Sequence, residues 1–81
     1  MNKKKTIKKE KISYIVSVFN IEDTVESLYT FSRKMLEDYT DSYEMIFVDD
    51  GSSDKTFQTL QSITENDRHV KIVRMRSAFG E

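Results

Sequence analysis

Short apolar runs and longer stretches of helical periodicity alternate along this 81-residue chain. Ile12-Ser13-Tyr14-Ile15-Val16-Ser17-Val18-Phe19 is β-branched and almost continuously apolar, the pattern of a strand covered on both faces within a parallel sheet. Glu22 and Asp23 then place acid groups where a helix start favours negative charge. Val25, Leu28, Tyr29, Met35, Leu36 and Tyr39 follow at helical spacing, predicting a helix from about Thr24 to Glu37. Tyr43 to Val48 is a second apolar run, and it enters the turn-forming cluster Asp49-Asp50-Gly51-Ser52-Ser53-Asp54. Ser53 or Asp54 can cap a second helix carrying Phe57, Leu60 and Ile63 on one face. Asn66 and Asp67 end that helix, and a third strand is predicted over Val70 to Met75.

The predicted order is β-α-β-α-β. Connections of this length are too long for hairpins, so they imply parallel pairing and right-handed crossovers, and the fold class is α/β, half of a doubly wound, Rossmann-like sheet. Ligands of such sheets sit outside the carboxyl ends of the strands. Three loops meet there: Phe19 to Asp23, Asp49 to Asp54, and Arg76 to Glu81.

Composition narrows the chemistry. With 37% hydrophobic and 33% charged residues the chain fits a small globular domain, near the length at which one core gives only marginal stability. No run approaches the ~20 apolar residues of a membrane span, and the basic start lacks a signal-peptide core, so a cytoplasmic chain is expected. There is no cysteine and only one histidine, His69, so any metal must be held by oxygen. Six of the 13 basic residues fall in 1–11, which is expected to be a flexible, solvated tip. The remainder carries an excess of about six negative charges. An acidic body without a basic stripe argues against nucleic acid as partner.

Adjacent carboxylates at a strand end repel a phosphate ester, but they accept hydrogen bonds from a base N–H or from ribose hydroxyls, and Gly51 allows close backbone approach. The loop therefore suits the nucleoside end of a nucleotide. A purely structural reading is equally compatible with the loop alone: Asp50 making an Asx-turn, Ser53 and Asp54 capping a helix. Arg74 and Arg76 are able to reach a phosphate, but side chains near a sheet end are more often solvent-facing charges, the favoured reading here, and His69 reads as an exposed turn residue opposite the pocket. Tyr29, Phe31, Tyr39, Tyr43, Phe47 and Phe57 mostly read as core. Phe19 is the exception, a strand-end aromatic able to pack on a base.

Ile15-Val16-Ser17-Val18-Phe19-Asn20, followed by Tyr43-Glu44-Met45-Ile46-Phe47-Val48-Asp49-Asp50-Gly51-Ser52-Ser53-Asp54-Lys55-Thr56, resembles the opening of the family-two, inverting, GT-A-fold glycosyltransferases. The likeness spans Ile12 to Gly80. It implies the amino-terminal nucleotide-binding portion, residues 12–81, of an enzyme that transfers a sugar from a UDP-linked or GDP-linked donor to an acceptor hydroxyl or phosphate. Carried over by position, Phe19, Asn20 and Glu22 would line one side of the pocket, Asp49 and Asp50 would bind base and ribose, and Gly51 and Ser52 would shape the loop. Ser17 stands where the family usually has proline, Ile21 where it has an acid, and Ser77-Ala78 where it has Arg-Asn ahead of Phe79-Gly80.

The family's metal-binding Asp-x-Asp and its general base lie outside this chain. No catalytic residue and no metal ligand are therefore assigned here, although magnesium or manganese is expected for the whole enzyme. The 81 residues alone are expected to be inactive. A different class, a non-catalytic nucleotide-binding or interaction module, fits the same half-fold. With later strands missing, the first strand is expected to expose an edge, which favours a homo-oligomer through edge pairing.

Overall fold

The computed structural model describes residues 10–75. Five elements occur in the expected order: β1 (Ile12–Val18), α1 (Val25–Tyr39), β2 (Tyr43–Asp49), α2 (Thr56–Asn66) and β3 (Val70–Arg74). The three strands form one parallel sheet in the order β1-β2-β3. The lysine-rich tip before Glu10, Arg76 and the Ser77-Ala78-Phe79-Gly80 run lie outside the described residues.

The register explains where the core sits. Ile12 pairs with Tyr43 and Val18 with Asp49, while Met45 pairs with Val70 and Asp49 with Arg74. Partners in a parallel ladder point to the same side, so Tyr14, Val16 and Val18 share a face with Met45, Phe47 and Asp49, and with Val70 and Ile72. Both helices lie over that face, because two right-handed crossovers in consecutive strand order place their helices on the same side. Phe47 and Met45 of β2 are fully buried there, as are Val25 of α1 and Leu60 of α2.

The opposite face carries no helix among the described residues, which corrects the expectation of a first strand covered on both sides. Ile15 is 64% exposed and Val73 46%. At the amino end of this bare face Ser13 Oγ donates to Glu44 (2.6 Å) and Lys71 lies 3.4 Å from the same carboxylate.

Helix α1 continues two residues beyond its expected end, to Tyr39, and closes with the Thr40 N–H donating to the Leu36 carbonyl (2.9 Å). Val25, Ser32 and Leu36 form its buried line, and the Ser32 hydroxyl meets that of Tyr14 at 2.8 Å. Phe31, Met35 and Tyr39 face outward, Phe31 being 71% exposed. Their spacing of four residues makes a second stripe beside the buried one. Periodicity alone merges the two stripes, so the expectation that these aromatics mostly pack in the core fails for Phe31 and Tyr39, which are exposed. Among the described residues no helix is long and apolar enough to cross a membrane.

His69 also differs from its sequence reading. Its ring stacks on Tyr43 (centroids 4.2 Å apart, planes at 14°), and its Nδ1 lies 3.0 Å from Asp67. Asp67 in turn accepts a hydrogen bond from Tyr29 of α1 at 2.6 Å. This cluster ties α1 to the end of α2, at the end of the sheet opposite the loops described next.

Candidate functional site

The carboxyl ends of the strands bring together the loop from Phe19 to Thr24, the loop from Asp50 to Lys55, and the end of β3. The Asp50 N–H donates to the Val18 carbonyl (3.0 Å) and the Met75 N–H to the Asp49 carbonyl (2.8 Å), so the sheet ladder runs into the loops. Two residues take left-handed backbone here: Gly51 (φ 93°), where a side chain would clash, and Asn20 (φ 51°), one of the few other residues that tolerate it.

The two loops are stitched to each other. The Asn20 N–H donates to Ser52 Oγ (2.8 Å) and the Ile21 N–H to Thr56 Oγ1 (2.8 Å). The Glu22 N–H donates to Asp54 Oδ2 (3.1 Å). In return the Asn20 carboxamide oxygen accepts from the Ser53 N–H (2.8 Å) and the Asp54 N–H (3.3 Å), and Glu22 Oε1 accepts from the Lys55 N–H (2.8 Å). The donors of the α2 entry are thus satisfied largely from the other loop. Asp54 adds Oδ1 to the Thr56 N–H (2.9 Å) and hydroxyl (2.6 Å), although it stands one residue before the cap position, Lys55. Desolvation pushes the Asp54 carboxyl up, but hydrogen bonds from Thr56 and the Glu22 N–H outweigh it and hold it below its ordinary range.

Asp49 ends β2 with its side chain fully enclosed. Its Oδ1 accepts the Ser52 N–H (2.9 Å), closing the turn, while its buried Oδ2 has no hydrogen-bond partner among the described residues. The nearby cation is Arg74, whose Nε lies 3.8 Å from that oxygen. Arg74 is therefore no free solvent-facing charge: Nη2 donates to the Ser52 carbonyl (2.9 Å) and the guanidinium lies 4.3 Å over the Phe57 ring.

The seven residues singled out from sequence all lie at this end of the sheet, but they do different things. Asn20, Glu22, Ser52 and Asp49 direct polar atoms into the loops themselves, and Gly51 supplies the turn. Phe19, 55% exposed, and Asp50 face outward, and the Asp50 carboxylate takes part in no hydrogen bond with any described residue. What remains available to a ligand is one carboxylate acceptor on a braced turn, with an aromatic ring on a neighbouring loop. Among the described residues, shallow concavities run along the outer side of α1, one of them lined by Phe31, Lys34, Met35 and Asp38. Among the described residues no three carboxylate or imidazole side chains converge to hold a metal ion.

Sequence reasoning missed Thr56 and Arg74. Thr56 closes the segment that resembles the family, and that place in the motif was the available signal. Arg74 could have been found from the parallel register, which sets it beside Asp49.

Comparison with known proteins bears on these features. The chain is 34% identical over 70 residues to an uncharacterized glycosyltransferase of Synechocystis sp. (strain ATCC 27184 / PCC 6803 / Kazusa), covering 86% of this chain and 22% of that protein. It is 31% identical over 68 residues to the uncharacterized glycosyltransferase YkcC of Bacillus subtilis (strain 168), covering 84% and 21% respectively. Against an undecaprenyl-phosphate 4-deoxy-4-formamido-L-arabinose transferase of Proteus mirabilis (strain HI4320) the identity is 31% over 72 residues, covering 88% of this chain and 22% of the relative. The chain thus spans about a fifth of the length of these relatives. The pattern of Glycosyl transferase family 2 matches residues 13–81, from the second residue of β1 through the braced loops and beyond β3. A parallel β-α-β-α-β unit with its loops gathered at the strand ends, matched over that whole extent, makes this chain a member of glycosyl transferase family 2.

Proposed function

We propose that this chain is the nucleotide-recognising portion of a glycosyltransferase, binding the base and ribose of a UDP-linked or GDP-linked sugar donor. The observation that carries the reading is the Asp50 carboxylate: exposed, unpartnered among the described residues, and carried on a turn held from both neighbouring loops. A carboxylate accepts from a base N–H or a ribose hydroxyl and repels a diphosphate, so it meets the nucleoside end. Phe19 offers its ring to the base. Asn20, Glu22 and Ser52 act on the nucleotide indirectly, by fixing the two loops, and Asp49 fixes the turn.

The transfer step belongs to the longer enzyme. A divalent ion, magnesium or manganese, would stabilise the departing diphosphate there. The described residues do not form a site for it, and no role of theirs depends on it. One relative is named for transfer to undecaprenyl phosphate, which supports a phosphate-bearing lipid as acceptor alongside a hydroxyl. A cytoplasmic location is part of the same reading.

Calorimetric titration of the chain with UDP and with GDP tests it. Binding of one nucleotide is expected, with at least a tenfold loss in Asp50→Ala, the scale of one charge-assisted hydrogen bond of about 1.5–3 kcal/mol. A folded chain that binds neither nucleotide, or an Asp50→Ala variant that binds as well as the parent, would refute this role of Asp50.

A further inference from the structure

Arg74 touches both ends of the turn that carries Asp50. Its Nε is 3.8 Å from Asp49 Oδ2 at the start, and its Nη2 donates to the Ser52 carbonyl at the finish (2.9 Å). The plane of the guanidinium is set by Phe57, 4.3 Å beneath it. Between the two grips lie only Asp50 and Gly51, and Gly51, at φ 93°, belongs to the residue type with the least conformational restraint. A buried carboxylate oxygen without a hydrogen bond is costly unless a cation is near, so Arg74 also supplies the charge that Asp49 requires.

From this geometry we propose that Arg74 is a positioning residue, holding the turn 49–52 in the shape that presents Asp50 to the nucleoside. The proposal rests on the nucleotide-binding reading above and extends it to a residue of β3 that meets the base only through the turn. Lysine cannot replace it, because an ammonium is a point charge that cannot lie flat on Phe57 while bonding Ser52 and facing Asp49. A competing role for the same cation is direct contact with the donor diphosphate, which lysine would largely preserve.

Two measurements on Arg74→Lys separate these roles. Amide hydrogen exchange reports the turn without any ligand. The Ser52 N–H, held by Asp49 Oδ1, is expected to exchange at least tenfold faster in the variant, while the amides of β2 such as Met45 keep their parent rates. Phe57→Leu, which removes the ring but keeps an apolar side chain, is expected to shift Ser52 in the same direction by less. Unchanged Ser52 exchange in Arg74→Lys overturns the proposal whatever the nucleotide results are.

Titration with uridine and UDP, or guanosine and GDP, then asks what the cation does for the ligand. Positioning predicts that nucleoside and nucleotide weaken by the same factor in Arg74→Lys. Weakening confined to the diphosphates makes Arg74 a phosphate ligand and sinks the positioning role. If the parent chain binds neither nucleoside nor nucleotide, the nucleotide-binding reading fails, and the proposal that Arg74 presents Asp50 to a nucleoside fails with it. Faster Ser52 exchange in that case shows only that Arg74 holds the turn.

Discussion

At the scale of single residues, the two ends of the sheet use carboxylates in contrasting ways. Asp50 faces solvent, whereas Asp67 is almost enclosed and accepts from the Tyr29 hydroxyl, the His69 N–H and, at 3.0 Å, the His69 ring. Desolvation raises the Asp67 carboxyl, but these hydrogen bonds outweigh it and leave it below its ordinary value of 3.8. A folded-state value depressed in this way contributes stability that is complete above about pH 3.8 and is lost as pH falls through the folded-state value. Asp67→Asn is therefore expected to be less stable than the parent by about 1–2 kcal/mol at neutral pH. Denaturant unfolding followed below pH 3.8 should show that gap closing; a gap that stays constant would mean that the ionised form of Asp67 is not what ties α1 to α2.

The seven candidate residues show how far single positions could be read from sequence. Their location was legible, because strand ends and turn formers mark the loops locally. Their division of labour was not. Whether Asn20 faces a ligand or braces Ser53 depends on a partner more than 30 residues away, and Arg74 reads more readily as solvent-facing than as bound because its partners, Asp49, Ser52 and Phe57, come from β2, the loop after it and α2.

At the scale of elements, β2 is the axis of the molecule. It has a strand on each side and both helices above it, and its Tyr43, Met45, Phe47 and Asp49 are all buried. Sequence placed β2 well because its apolar run is bounded by turn formers. It placed α1 well in extent but not in orientation, since α1 has two apolar stripes: Val25, Leu28, Tyr29 and Leu36 meet the core, whereas Phe31, Met35 and Tyr39 are exposed. Helix α2 buries Thr56 and Leu60 fully and packs Ile63 at the margin of the core, so Leu60 is its main apolar anchor. Truncating Leu60 to alanine is expected to cost about 2–5 kcal/mol, most or all of the stability of so small a domain. Loss of the cooperative transition in thermal unfolding monitored by circular dichroism would match this, whereas a melting temperature within a few degrees of the parent would show that β3 and α2 contribute little to the core.

At the scale of the whole molecule, the outer strand β1 is uncharged from Ile12 to Val18 and contains no proline, and the face behind it exposes Ile15. Native sheet edges are commonly protected by charge, proline or a bulge, and an edge without them pairs readily. The isolated chain is expected to self-associate through β1. Sedimentation across a range of concentrations checks this, and Ser17→Lys, which adds a charge to the edge strand on its bare face, should shift the chain toward monomer. A parent that stays monomeric at high concentration would mean that the edge is otherwise protected.

The all-parallel order has one more consequence, for the way the chain reaches this structure. Among the described residues no strand meets its neighbour through a hairpin; Ser13 and its ladder partner Glu44 are 31 positions apart. During synthesis β1 leaves the ribosome before its partner and must wait, apolar and unpaired, until α1 and all of β2 have followed. Because long-range parallel pairing is slow to form, this interval is the time at which the chain is most vulnerable to aggregation and to chaperone capture.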